Sequence, residues 1–186
     1  MAMPATIRRW TKELVQSLPN DGNRYELVAG ELLVTPAPAE RHQSLVREFA
    51  VALLDYLRLL GLGRTIYFAA ADISWTPDDL VQPDLFVVAP EDVSRDWKTF
   101  KHLRLVVEVL SPSSRRGDRV VKRKLYLQNE VETYWVVDPD RQVVDVWRPG
   151  DAEGTTVADT LTWRVTAEAP ELRIPLDEIF RAIASF

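Results

Sequence analysis

Apolar residues recur every three or four positions along one stretch of the chain and alternate or run together along several others. That change of period separates helices from strands. Leu45, Val46, Phe49, Leu53, Leu54, Leu57 and Leu60 keep the helical spacing, so residues 40–60 form the longest amphipathic helix, stopped by Gly61. Ahead of it, 11–18 reads as a short helix. Arg24 to Ala29 and Glu31 to Thr35 read as a hairpin punctuated by Gly30 and ended by Pro36 and Pro38. Strand-like runs follow at 64–74, 82–89 and 103–110, broken by Pro77 to Asp79 and by the polar loop Glu91 to Lys98. Residues 117–130 read as a second helix, and Thr133 to Val137 with Val143 to Trp147 as a hairpin around Pro139 and Asp140. A polar loop over 150–159, short strands near Trp163 and Leu172, and a helix from Leu176 complete the chain. This order predicts an α/β (α+β) fold in one domain spanning 1–186. It is a mixed sheet flanked by helices, with an N-terminal hairpin and extra C-terminal strands.

Two of the strands carry an acid where the pattern asks for an apolar residue. In Arg104-Leu-Val-Val-Glu-Val-Leu110 both faces are apolar beyond Arg104, which is how a strand buried on both sides reads, yet Glu108 sits near its end. The preceding run, Val81-Gln-Pro-Asp-Leu-Phe-Val-Val88, carries Asp84 at its head. An isolated buried carboxylate costs several kcal/mol unless it is protonated, paired or bound to a cation. If the two strands pair, both carboxylates can grip one divalent ion. Alternatively, Asp84 caps a turn after Pro83 and Glu108 makes a salt bridge. Two like charges side by side further predict that neutralising either acid leaves the metal-free protein at least as stable.

A lysine joins them. On a wheel of about 100° per residue, Lys122 falls within the apolar arc of Val121, Leu125 and Tyr126, whereas Lys124 falls outside it. An inward lysine needs an anionic partner, which the two acids or Asp118 one turn earlier would supply. Around the same helix start, Arg115, Arg116, Arg119, Lys122, Arg123 and Lys124 face the single acid Asp118. Such a cluster reads either as a phosphate-binding patch, helped by the hydroxyls of Ser111, Ser113 and Ser114, or as a solvated helix face.

Composition narrows the chemistry. The chain has 186 residues, 46% of them hydrophobic and 27% charged, which is globular composition. It has no cysteine and two histidines, His42 and His102, so thiolate zinc sites and multi-histidine cages are excluded. Any metal is held mainly by oxygen, which favours magnesium or manganese. A net charge of −5 argues against indiscriminate coating of nucleic acid, and no apolar run has the length of a membrane span. With no signal-peptide core at Met1 to Trp10, a soluble cytoplasmic protein is expected.

The segments Tyr25-Glu-Leu-Val-Ala-Gly-Glu31, Arg41-His-Gln43, Gln82-Pro-Asp84, Glu108-Val-Leu-Ser-Pro-Ser113, Asp118-Arg-Val-Val-Lys-Arg-Lys-Leu-Tyr126 and Tyr134-Trp-Val-Val-Asp-Pro139 resemble the Uma2 family. These are bacterial restriction-endonuclease-like proteins of the PD-(D/E)XK nuclease superfamily. The resemblance covers about residues 24–148 and implies a restriction-endonuclease-like sheet. It also implies magnesium-dependent phosphodiester cleavage, with Asp84 and Glu108 as metal ligands. The superfamily's lysine normally follows the acid by two residues, where this chain has Leu110. Similar members place it on the next helix, and the match here is Lys122. His42, Glu26 and Glu31 also fit the family pattern, His42 either near the metal or substrate or as a helix-cap residue.

The expected catalytic set is therefore Asp84, Glu108 and Lys122, with His42 and Glu31 in support and Arg115, Arg116 and Arg119 on flanking phosphates. The expected partner is nucleic acid, DNA ahead of RNA, with a homodimer suited to cutting a duplex. The competing expectation is a non-catalytic protein on a nuclease fold that binds nucleic acid or another partner.

Overall fold

The computed structural model describes residues 9–184 except 94, 95, 97, 98, 113 and 116. Helix α1 (Lys12–Gln16) leads into the hairpin of β1 (Arg24–Val28) and β2 (Glu31–Thr35), and the long helix α2 (Glu40–Leu59) follows. Val28 pairs with Glu31, leaving the two-residue turn Ala29-Gly30 with φ of 51° and 82°. Two positive φ values define the turn that matches strand twist, and glycine takes the second without strain.

The central sheet has six strands: β3 (Ile66–Phe68), β4 (Leu85–Val88), β5 (Leu103–Val109), β6 (Tyr134–Asp138), β7 (Val143–Trp147) and β8 (Thr155–Val157), in that spatial order. Only β5 and β6 run parallel. Parallel neighbours need a crossover, and here it contains a π-helical turn, Gly117–Lys122, that runs into α3 (Arg123–Gln128). Strands β9 (Thr160–Trp163) and β10 (Leu172–Pro175) pair separately, and α4 (Leu176–Ala184) ends the described chain.

Alternation along the strands divides the core in two. Leu85, Val87, Leu105, Val107, Val109 and Trp135 pack with Phe49, Leu53 and Leu57 of α2 and with Ile179 and Phe180 of α4. Phe86, Val88, Val106, Tyr134 and Val136 pack on the other side with Leu125 and Tyr126 of α3. Burial on both faces is why these strands read as unbroken apolar runs.

The run 64–74 forms a strand only over Ile66–Phe68, and 82–89 only over Leu85–Val88. Phe68 pairs with Leu85 and the Ala69 N–H still donates to the Asp84 carbonyl, but the next step of the ladder meets Pro83, which has no N–H to give it. Ile73 bonds instead to Val81. The helix expected over 117–130 splits into the π turn and α3. The polar loop expected over 150–159 contains β8, whose Thr155 and Thr156 are exposed at the sheet edge and carry no apolar signal. Helix α2 matches its predicted span to within a residue. Among the described residues no helix is long and apolar enough to cross a membrane.

Candidate active site

Leu85 stands opposite Val107 in the β4–β5 ladder, so continuing the register by one residue sets Asp84 across from Glu108. Both lie on the face of Phe86 and Val106, where cross-strand Cβ atoms are about 4.5–5.5 Å apart. They line a pocket of about 250 Å³ together with Arg24, His42, Asp118 and Lys122. The two acids predicted from separate strands, and the lysine predicted from the helix, thus share one cavity.

Each group is tied to a different element. Asp84 Oδ1 accepts from Arg24 at 2.8 Å, and Oδ2 lies 3.0 Å from His42 Nε2 and accepts from the Val109 N–H at 2.9 Å. Glu108 Oε1 accepts from Lys122 Nζ at 3.0 Å and from the Tyr126 hydroxyl at 2.9 Å, and neither bond uses Oε2. Lys122 Nζ also reaches Glu26 Oε2 at 2.8 Å and Asp118 Oδ1 at 3.2 Å. Glu26 Oε1 in turn accepts from the Gln82 N–H, which fixes the hairpin against the segment before β4. Arg24 and Glu26 are two residues apart on β1 and so project from the same side of the strand.

Burial sharpens the electrostatics. It would push the Asp84 carboxyl up, but the His42 hydrogen bond, the Arg24 charge and the Val109 N–H hold it well below the usual range. Glu108 goes the other way. Burial pushes it up, Lys122 pulls against that, and Asp118, Asp84 and Glu26 add to the push. Burial opposes the Lys122 charge, yet Glu108, Glu26 and Asp118 hold it protonated above its ordinary value. Burial, with Glu108 close by, keeps the Tyr126 phenol protonated, so it remains a donor. A carboxylate held ionised only accepts hydrogen bonds, so His42 Nε2 carries a hydrogen.

The remaining predicted residues fall elsewhere. Glu31 is exposed on β2, beside an adjoining pocket that Glu26 and Lys122 also line, and does not join the buried cluster. Arg115 bonds to Asp140 and lies 3.5 Å from Asp138, and Arg119 reaches Asp138 at 2.7 Å and Asp145 at 2.8 Å. The patch expected to face only Asp118 is therefore balanced by acids of the β6–β7 hairpin, which lie far away in sequence. Arg116 and Ser113 lie outside the described residues. Lys124 is exposed, as its place on the wheel predicts.

Arg24, Asp118 and Tyr126 belong to the cluster; sequence reasoning gave Arg24 and Tyr126 no site role and offered Asp118 only as an alternative partner of Lys122, which it joins Glu26 and Glu108 in holding. The Arg24-x-Glu26 spacing was the available signal for the first, and the helical offset from Lys122 for the other two.

Magnesium is the group such a fold implies, and the donor set fits it. The buried carboxylates Glu26, Asp84, Glu108 and Asp118 outnumber the permanent cations Arg24 and Lys122 by two charges. All four supply hard oxygen donors. His42 Nδ1 is buried beside Asp84 with no partner, which marks a place where a bonded group is due. Among the described residues no three His, Cys, Asp or Glu side chains form a ready cage. An ion held here would take one or two carboxylates and complete its shell with water.

Fold and site together define a restriction-endonuclease-like protein. The Uma2 family, described as "Putative restriction endonuclease", matches residues 12–177, and the chain belongs to that family. A solved structure of similar fold is that of a putative nuclease belonging to DUF820 from Anabaena variabilis. It is 20% identical, covers 93% of this chain and 98% of its own, and superposes with a TM-score of 0.73. No curated protein matches.

Proposed function

We propose that the protein is a cytoplasmic magnesium- or manganese-dependent endonuclease that hydrolyses nucleic-acid phosphodiester bonds, with DNA ahead of RNA as substrate. One observation carries this. Four buried carboxylates meet only two permanent cations, buried Lys122 and partly buried Arg24, at a pocket of about 250 Å³. A protein gains nothing in stability from such an imbalance, and a divalent ion removes it.

Asp84 and Glu108 are the residues that would hold the ion. When bound, it supplies a Lewis acid that polarises the phosphate and acidifies the attacking water. Asp84 stays ionised under the hold of Arg24, His42 and the Val109 N–H. His42 Nε2 faces Asp84, which leaves its buried Nδ1, without a partner among the described residues, as the ring position to meet the substrate or its water. Lys122 fixes Glu108 and sets a positive charge near the phosphate as negative charge develops there. Arg115, half-buried beside Asp140, can exchange that partner for a flanking phosphate.

The test is cleavage of single-stranded DNA, duplex DNA and RNA with magnesium, with chelator, and with Glu108→Gln. Turnover that needs magnesium and falls at least about a hundredfold in the variant supports the proposal. Binding without turnover on all three substrates would favour a non-catalytic binding protein instead.

A further inference from the structure

We infer that the buried centre takes one divalent cation and not two, because the Lys122 ammonium already occupies the place of a second. The inference rests on the metal-dependent function proposed above and concerns how the chain's own charges set the number of ions.

An ammonium has three hydrogens to donate. Lys122 Nζ has three carboxylates around it, Glu26 at 2.8 Å, Glu108 at 3.0 Å and Asp118 at 3.2 Å. They come from β1, from β5 and from the π turn itself, so the cage closes only when hairpin, sheet and crossover are all in place. The lysine side chain is 3% exposed, and its partners are no more so. Three carboxylates around one buried point supply oxygen donors of the kind a hard cation takes, directed in this chain at an ammonium. Here that point is filled covalently.

The charge balance agrees. With every acid ionised, the surplus is two negative charges, which one divalent ion cancels. A second ion would leave the same buried volume with two uncompensated positive charges before any substrate arrives, a costly state in a site shielded from water.

Two consequences follow for individual residues. Glu26 and Asp118 are the clamp on Lys122 and not ligands of the ion. Lys122 is a positioning residue for Glu108 that acts on the phosphate through its charge, since its hydrogens are all engaged.

Isothermal titration of the metal-free full chain with Mn²⁺ reads the number directly, with circular dichroism confirming the fold of each variant. The wild type should bind one ion. Lys122→Met keeps the length of the side chain but removes its charge, and should bind two. The double variant Glu26→Gln with Lys122→Met again leaves a surplus of two charges and should return to one. It also keeps the inference testable if the single variant does not fold. Two ions in the wild type would overturn the inference and leave metal dependence standing. No binding in the wild type would remove the metal-dependent function and the inference with it. One ion in a folded Lys122→Met protein, or two in the double variant, would show that the ammonium does not stand in for a cation.

Discussion

Two clusters of charge meet the β5–β6 crossover, and they differ in kind. At the β6–β7 hairpin, Asp138, Asp140 and Asp145 face Arg41, Arg115, Arg119 and Arg141, so every carboxylate has a cation. The arginines there are partly open, with side chains 31–53% exposed. Under the β1–β2 hairpin the acids outnumber the permanent cations, the four carboxylates and Lys122 are buried, and Arg24 is partly so. The first cluster is complete as it stands, because each charge has its opposite and water screens the rest. The second carries two more carboxylates than permanent cations. Basic residues are plentiful at the balanced cluster and scarce at the unbalanced one, so a count of charge along the chain and the balance of buried charge single out different places.

Removing Lys122 should separate the two clusters most sharply. Lys122→Ala leaves three buried carboxylates unmatched and should cost about 3–5 kcal/mol in denaturant unfolding with chelator present. It should also lower any magnesium-dependent cleavage by about a hundredfold or more. Lys124→Ala, on the exposed side of α3, should stay within about 0.5 kcal/mol of wild type. Equal losses in the two variants would erase the distinction between the inward and outward lysine.

Next in size is the contrast between the paired acids. Like-charge repulsion alone predicts that neutralising either one is harmless, but the surroundings split them. Asp84→Asn deprives Arg24, His42 and the Val109 N–H of an ionised partner and should destabilise the metal-free protein by about 1–3 kcal/mol. Glu108→Gln keeps an acceptor for Lys122 and Tyr126 while removing one of the surplus charges. It should be neutral or stabilising by up to about 1 kcal/mol. Thermal melts in chelator distinguish the two, and the opposite ranking would place the surplus charge elsewhere.

The balanced cluster gives the smallest effect, and its sign is fixed. Burial would push Asp138 up, but the N–H groups of Arg141 and Asp140, and the charges of Arg115 and Arg119, hold it below the usual range. Its ionised form therefore stabilises the fold. The contribution is complete above the unfolded-state value of about 3.9 and is lost as pH falls through the lower folded value. Asp138→Asn should lower stability by about 1–2 kcal/mol at neutral pH and flatten the acid limb of a urea-midpoint profile. An unchanged acid limb would mean that the arginines do not act on it.

Local signals carried the fold further than the site. The spacing of Leu45, Phe49, Leu53 and Leu57 describes α2 because one face packs on the sheet and its period is fixed. Asp84 and Glu108 stood out because an acid in an apolar strand contradicts its own context. Lys122 was legible on a 3.6-residue wheel even though it closes a π turn, because its apolar neighbours Leu125 and Tyr126 lie in the regular helix that follows. What stayed hidden depends on distant pairing. Arg24 meets Asp84 across 60 residues, and Arg119 meets Asp145 across 26. No window along the chain contains both partners, so the hairpin's part in the site and the neutrality of the arginine patch emerge only from the fold.

If the buried surplus of negative charge holds magnesium, as proposed, the stability of the protein against magnesium concentration reads it most directly. Binding to the folded state alone raises stability with the logarithm of ion concentration, by about 2.7 kcal/mol at a hundred times the dissociation constant. The wild-type unfolding midpoint should climb with added magnesium, and Glu108→Gln should stay nearly flat over the same range. A wild-type midpoint that ignores magnesium, or a Glu108→Gln midpoint that climbs as steeply, would contradict the account.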